Sequence, residues 1–458
     1  MNKVFRKVII CLLSVMLLLS LVACDSEEDR NVAVTASRTA NPTPKDLRGI
    51  VKISGYKSDQ YDDSIMDFVA QVALDYTGLE VEYDYDYTEE EYFATLDERV
   101  KSGDIGDIYL VRDTDLASYA EQNYLMDLTD YAANFYDYSN SGYTKMNIAD
   151  EVFPAAYSSS KYQDRLYMVP TEYNHKYVFL NYTLLEKAGV DTVPNDKWTW
   201  EDFKRYASAV TAAGGKIIMD YTDYAVWGAF INGAGGSIFA LNEDGTPNTS
   251  RISLTDSATL SGLNELLSFV QSNGVETELG DLDLSDVGIA VIDRSEMGLW
   301  QNTEESEYFD WNLVDFDWDF MHFPRFTTHS VGAHTIGFAV KNSADSSDEH
   351  KELCANLALY MLFDSPAEAY TGDGEIVPAN IKVSDKKFWR EYPVKGKNTS
   401  VFTNYYSSDF SASLTAVMNL SAAKQMTVGS ALAQAKDGAD ISSLLRSIES
   451  AVNSTISG

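Results

Sequence analysis

Between Leu79 and Tyr87 the chain alternates Leu79, Val81, Tyr83, Tyr85 and Tyr87 with Glu80, Glu82, Asp84 and Asp86, a period of two that suits only a half-buried strand. The acids read as its solvated face. The flanking segments narrow the fold further. Residues 50–53 form a short β-branched run ending at Gly55, and Ile65, Phe68, Val69 and Val72 then stand at helical spacing until Thr77-Gly78. After the alternating run, Phe93, Leu96 and Val100 line one side of a helix that stops at Gly103, and 107–111 is apolar and extended again. A βαβαβ order predicts a parallel sheet with helices on its faces.

The same rhythm returns downstream. Segments 166–170 and 177–182 read as strands, 183–188 as a short helix closed by Gly189, and Thr199 as an N-cap with Glu201 and Asp202 in the first turn. Gly214-Gly215 ends that helix, 216–220 is a strand, and Leu260, Leu263, Leu267 and Val270 mark a long helix stopped at Asn273-Gly274. Further on come a strand at 335–340 and a buried helix through Leu353, Leu357, Tyr360 and Met361. A capped helix start at Ser365-Pro366-Ala367-Glu368 follows, then an amphipathic terminal helix through Ile441, Leu444, Leu445, Ile448, Val452 and Ile456. A chain of 458 residues with two such series is expected to form at least two lobes. It shows no internal repeat.

The N-terminus carries an address. Lys3, Arg6 and Lys7 precede an apolar run from Val8 to Ala23, which reads as a secretory signal over 1–23. Leu21-Val22-Ala23-Cys24 resembles the bacterial lipobox, so Cys24 is expected to become a lipidated N-terminus, with 24–46 as a flexible tether rich in Ser, Thr, Asn, Asp and Pro. The protein is thus expected to be lipid-anchored to the cell membrane on its extracytoplasmic face.

Charge and chemistry exclude more than they assign. With 35 Lys+Arg against 70 Asp+Glu, the formal charge of −35 rules out nucleic acid as a general partner. Of the three cysteines, Cys354 lies in an apolar helix and reads as packing. His322, His329 and His334 fall close together, but strand-end and loop residues separate them and no metal is expected. Asp281, Asp283, Ser285 and Asp286 begin like a calcium loop, yet Asp286 occupies the place of its Gly and Ile292 that of its final Glu. No nucleophile, zinc or phosphate-cradle motif is present, so neither an enzyme nor a cofactor is expected.

The stretch from Asp164 to Ala209 resembles the extracellular solute-binding proteins of bacterial ABC importers, in particular the sugar-binding family related to maltose-binding protein. Leu166 to Pro170, Asn181-Tyr182, Lys187-Ala188-Gly189 and Trp198 to Phe203 match its motifs, although Asp164-Arg165 replaces a usual Gly-Lys and Asn181-Tyr182 reverses the usual order. Thr77 to Val81, Gly106-Asp107-Ile108, Trp227 to Gly236, Arg294 to Trp300, His322-Phe323-Pro324, Gly337 to Val340 and Val377-Pro378 continue the pattern in order.

The resemblance implies an α/β, two-lobed periplasmic-binding-protein-like fold of type II, with a hinge and an interlobe ligand cleft. Its lobes would be 47–172 plus 323–375 and 173–322 plus 376–458, with crossings near 171–176, 322–325 and 375–378. It implies capture of a carbohydrate, in particular an oligosaccharide, by a monomer that delivers it to permease subunits. Sugars offer apolar faces and a rim of hydroxyls, so a site needs aromatic planes with fixed polar groups. By matching positions, the candidate ligand-binding residues are Tyr56, Arg112, Asp113, Glu172, Tyr173, Asn174, Tyr224, Trp227, Trp300 and Tyr405, with Tyr406 a weaker one. For each aromatic, core packing is the competing reading, and for Arg112 a surface ion pair. A non-sugar solute such as a peptide, polyamine or metal complex would instead require a charge match in the cleft. A polysaccharide-acting enzyme would show turnover, and an adhesin would bind without lobe closure.

Overall fold

Two sheets carry the molecule, and a third, short one joins them. The computed structural model describes residues 51–56, 81–84, 87–137, 144–190, 197–243, 247–278, 283–294, 296, 314–326, 329–363, 367, 377–391, 396–404, 410–411 and 427–456. The signal run, Cys24, the tether, the 65–72 helix, Asp281, Trp300, Ser365-Pro366, Glu368, Tyr405 and Tyr406 lie outside them.

β1 (Val51–Ser54) lies between β2 (Val81–Asp84) and β3 (Ile108–Arg112), parallel to both. The intervening α1 (Glu89–Ser102) starts at a reciprocal cap between Thr88 and Glu91 and stops at Gly103, whose φ of 78° a side chain would resist. It buries Tyr92, Phe93, Leu96 and Val100. Asp84 departs from the expected wet face of β2: its side chain is only 22% exposed, because Arg99 of α1 reaches back to pair with it at this edge strand. α2 (Asp113–Glu121) follows β3 without a loop, and β4 (Met168–Pro170) forms the far edge of the sheet.

The chain then crosses through β5 (Asn174–His175) into β6 (Tyr177–Asn181), which is buried along its whole length at the centre of the second sheet. Around it are built α3 (Trp200–Ala212), β7 (Lys216–Met219), α4 (Tyr224–Gly233), α5 (Ser257–Asn273), β8 (Val287–Ile292) and β9 (Trp318–His322), in strand order β7-β8-β6-β9. Thr199 caps α3 as expected, with Asp202 returning the bond. Trp200 stacks on Phe203 at 4.9 Å and meets Phe230 and Phe269 edge-on, so this aromatic motif builds the core.

At 322–325, where a crossing was expected, the chain is still tied to the second sheet, and it next pairs with β5 at 333–334 and with the first sheet from 336. His322 is still paired with Tyr177 in the second sheet, the Arg325 carbonyl accepts the Trp200 N–H at 2.9 Å, and Phe323 and Val331 are buried in the second core. β10 (Gly332–His334) then runs antiparallel to β5, and β11 (Ile336–Val340) inserts antiparallel between β3 and β4, giving the first sheet the order β2-β1-β3-β11-β4. α6 (Asp348–Tyr360) covers that sheet with Leu353 and Leu357 and encloses the free thiol of Cys354, whose ionisation burial pushes far up. Residues 377–379 lie along the first crossing, where the N–H of Tyr173 donates to the Val377 carbonyl and that of Ala379 to the Thr171 carbonyl. The chain returns to the second sheet at Asn398, whose N–H donates to Asp319 at 2.6 Å. β12 (Phe410–Ser411) pairs parallel with β10, and α7 (Val428–Lys436) and α8 (Ile441–Ile456) complete the second core through Leu432, Leu445 and Val452.

Candidate binding site at the lobe crossing

Asn174 of β5 lies opposite His334 of β10, and His175 opposite Ala333. A strand sends successive side chains to opposite faces, so Glu172, Asn174, Lys176 and His334 share one face of the crossing ribbon while Tyr173, His175, Ala333 and Thr335 share the other. The second face is core. Tyr173 is fully buried and stacks on Phe153 with centroids 4.4 Å apart.

The first face is polar. The Tyr56 hydroxyl donates to Glu172 Oε1 at 3.0 Å, and the Asn174 amide donates to Glu172 Oε2 at 3.4 Å. Burial first, then the Glu172 charge, push the Tyr56 phenol well above its ordinary value, so it remains a donor. The Asn174 Oδ1 is buried and finds no hydrogen-bond donor among the described residues.

Two helix N-termini, one from each lobe, bring acids to this face. Asp113 opens α2 and exchanges bonds with the backbone of the ribbon's end: its N–H donates to the Thr335 carbonyl at 2.9 Å, and its Oδ2 accepts the Thr335 N–H at 3.1 Å. Burial raises the Asp113 carboxyl to about 7, against the opposing pull of His334. Asp223 caps α4, accepting the Ala225 N–H at 2.9 Å, and holds His334 Nε2 at 3.0 Å. Burial alone would lower the His334 imidazole, but Asp223 and Asp113 outweigh it and lift it to about 9. Conversely, His334 and Lys176 hold Asp223 far below the usual carboxylate range despite its burial. α4 can lie this close because residue 332 is glycine, where a Cβ would stand 2.2 Å from Ala225 Cα.

Lys176 lies beneath these groups with only 3% of its side chain exposed. Its Nζ reaches Asp293 and Glu296 at 2.9 Å each, both beyond the end of β8, and Asp223 at 3.0 Å. Burial would depress its ammonium, yet the three carboxylates hold it well above its ordinary value. Glu296 rises to about 7, through burial and the nearby Asp293 charge, against the pull of Lys176. Its side chain remains 30% exposed.

The structure therefore brings Tyr56, Asp113, Glu172 and Asn174 together, and places Tyr224 beside them, its ring 4.7 Å from His334 and its hydroxyl donating to the Ala333 carbonyl. Tyr173 points away into the first core, because it is the odd residue between two cleft-facing ones. Trp227, one turn beyond Tyr224, is buried among the apolar side chains of the second lobe. Arg112 stands over the Phe93 ring at 3.9 Å and 3.5 Å from Asp115, at the edge of the site. Trp300 and Tyr405 fall outside the described residues. Sequence reasoning missed Lys176, Asp223, Asp293 and Glu296, and considered His334 only as a metal ligand. Among the described residues no cluster suited to a metal exists. The period of two through Glu172, Asn174 and Lys176 was the available signal for the first of these.

Solved structures share this architecture at low identity, which speaks to fold alone. An ABC substrate-binding protein from Listeria monocytogenes, in complex with cycloalternan, superposes with a TM-score of 0.63 at 16% identity, covering 89% of this chain and 98% of its own. The maltose-maltodextrin binding protein of Alicyclobacillus acidocaldarius gives 0.63 at 14%, over 88% and 100%. The cyclic alpha-maltosyl-1,6-maltose binding protein of Arthrobacter globiformis gives 0.63 at 15%, over 89% and 99%. These likenesses establish an α/β, two-lobed binding-protein fold of type II. No curated protein matches the sequence. The family profile of the bacterial extracellular solute-binding proteins, however, matches residues 58–350, most of the two-lobed body, and the chain belongs to that family.

Proposed function

We propose that this protein captures an oligosaccharide between its lobes and delivers it to the permease of an ABC importer, working as a monomer held to the membrane by lipid on Cys24. The family is one of solute-binding proteins that work outside the cytoplasm, not of enzymes. Leu21-Val22-Ala23-Cys24, with its resemblance to a lipobox, supports attachment through Cys24. Similar folds include proteins that bind maltodextrins and cyclic glucans, which favours a sugar here.

The observation that carries the reading is the polar ribbon face at the crossing, flanked by Tyr56 and Asp113 from one lobe and by Asp223 and Tyr224 from the other. A solute seated there touches both lobes and the hinge, so binding favours the closed arrangement by its differential contacts. The moving bodies would be built on 47–172 and 173–331, the return passing at 332–336. Residues 377–391 would travel with the first lobe, because Ala379 and Asn380 are tied to Thr171, Val152 and Leu362.

Small-angle scattering and thermal melting of the full chain in mild detergent, with a panel of oligosaccharides, amino acids and peptides, test this. A sugar that raises the midpoint and shrinks the scattering radius supports capture by closure. A midpoint shift from a peptide alone overturns the sugar assignment, and binding without contraction overturns closure.

A further inference from the structure

We propose that His334 is a ligand-contacting, specificity-determining residue: its ring Nδ1–H donates to a hydroxyl of the captured sugar, and the same hydroxyl donates to Asn174 Oδ1. The inference rests on the sugar reading above and names the groups that recognise the sugar.

The first observation is how the ring is anchored. Nε2 lies 3.0 Å from Asp223 Oδ1 and 3.1 Å from Oδ2. Turning the ring over would set a carbon against that carboxylate, so Nε2 is the nitrogen bound there. The other nitrogen, Nδ1, has no hydrogen-bond partner among the described residues, and the ring is partly exposed on the cleft face. The charged groups acting on the ring are Asp223 at the cap of α4, Asp113 at the start of α2 and Lys176 just past β5. Tyr224 of α4 packs edge-on against it, and Glu172 stands further along the same ribbon face. The two aspartates prevail and lift the imidazole to about 9, so at neutral pH both ring nitrogens carry protons and Nδ1 is a donor.

The second observation is the neighbour. Asn174 stands directly opposite His334 in the ribbon, and opposed side chains on one face start about 5 Å apart. Asn174 is buried, its amide N–H donates toward Glu172, and its Oδ1 has no donor among the described residues. Exchanging the amide's O and N would set the carbonyl against the Glu172 carboxylate. A donor and an acceptor, one on each crossing strand, therefore stand side by side with neither satisfied. An ammonium cannot accept from His334, and a carboxylate cannot donate to Asn174. A hydroxyl does both, and at this spacing a single one reaches both. The unmade bond at the buried Asn174 oxygen costs free energy that such a hydroxyl recovers.

Calorimetry on the full chain in mild detergent tests the contact, with maltotetraose, cellotetraose and mannotetraose as probes. For a probe that binds the wild type at about pH 7, affinity is expected to stay level until about pH 8 and to fall about tenfold per unit above about 9. The neutral imidazole keeps its remaining proton on Nε2, against Asp223, which turns Nδ1 from donor into acceptor. Binding above about pH 9 should therefore take up a proton, seen as an enthalpy that varies with buffer ionisation. His334→Gln separates contact from positioning, because the glutamine amide reproduces the Nε2 donor to Asp223 and has nothing at Nδ1. It should weaken binding about ten- to a hundredfold and remove the pH slope, with the thermal midpoint reporting that the variant is folded. Unchanged affinity in His334→Gln would mean that the residue only holds Asp223, and overturns the contact. A wild-type affinity that stays level to about pH 10 without proton uptake overturns it too, and decides alone where the variant does not fold. Both outcomes leave the sugar reading standing, because the wild type binds. If no probe binds the wild type, the sugar reading falls and the contact falls with it.

Discussion

The two faces of the crossing ribbon are made by alternate residues of the same strands and have opposite chemistry. Tyr173, His175, Ala333 and Thr335 close the first core, with Tyr173 flat on Phe153. Glu172, Asn174, Lys176 and His334 meet Tyr56 from the first lobe and three carboxylates, Asp223, Asp293 and Glu296, from the second. One face resists motion by packing. The other balances charges that a ligand or a proton can rebalance. A two-lobed binding protein needs both at one place, since the crossing must stay intact while the groups that sense the solute remain responsive.

The largest effect expected from breaking this arrangement is at Lys176. Lys176→Met keeps the length of the stem but leaves Asp223, Asp293 and Glu296 without their shared cation in a buried setting, at a cost of about 3–5 kcal/mol. Urea denaturation of the variant at neutral pH measures this. A loss below about 1 kcal/mol would mean that the carboxylates find other partners or simply protonate, and that the ribbon's polar face is softer than its distances imply.

Much of the fold was legible because periodicity is local. The helix closed by Gly103, the cap at Thr199, the stop at Gly274 and the strands of both sheets follow from residues within a few positions of each other. The cluster at the crossing was legible only where a residue also sat at a strand end or helix start, as Tyr56, Asp113, Glu172 and Asn174 do, and its role in binding stays a proposal. Lys176 was not, because its meaning comes from Asp293, 117 positions away, and nothing local separates it from other lysines. Trp227 and Tyr173 show the converse. An aromatic near a cleft motif is indistinguishable from core until its face is known, and one step along a strand or one turn along a helix changes that face. The ties of 322–325 to the second sheet were not legible for a related reason: His322-Phe323-Pro324 looks like a strand end, and the pairing of Arg325 with Trp198 and Trp200 is a long-range contact.

Next in size is Gly332→Ala. A Cβ there would meet Ala225 Cα at 2.2 Å, a backbone neighbour that cannot rotate away, so α4 must shift from the ribbon at about 1–3 kcal/mol. The shift carries Asp223 with it, so ligand affinity should fall together with the urea midpoint. Stability lost with affinity unchanged would show that α4 does not position the polar face.

Smaller still is the pH dependence set by His334. Its folded value of about 9 lies above the ordinary value of about 6.5, so its stabilisation is complete below about 6.5 and is lost as pH rises through about 9. The side chain is 34% exposed, so solvent screening holds the effect to about 1 kcal/mol. Asp113 acts in the same direction in a lower window, its contribution fading between 3.8 and about 7. His334→Gln should flatten the upper part of the urea-midpoint profile. It should also raise the Asp113 carboxyl further, because the imidazolium is the largest influence pulling it down. A profile that keeps its upper slope would place the titrating group elsewhere.

The smallest effect separates the two faces most cleanly, through a buried side-chain oxygen on each that has no hydrogen-bond partner among the described residues: Thr335 Oγ1 on the core face and Asn174 Oδ1 on the cleft face. On the core face nothing can arrive to satisfy the hydroxyl, so Thr335→Val should leave stability unchanged or raise it by up to about 1 kcal/mol, and ligand affinity should not move. The Thr335 backbone still exchanges its two bonds with Asp113, so the register is preserved. On the proposed cleft face a ligand would satisfy the carbonyl, so Asn174→Leu should abolish binding with a far smaller change in the urea midpoint. If Thr335→Val weakened binding, or if Asn174→Leu left it intact, the division of the ribbon into a packed face and a sensing face would be wrong at its simplest point, since the two orphans would then have exchanged roles.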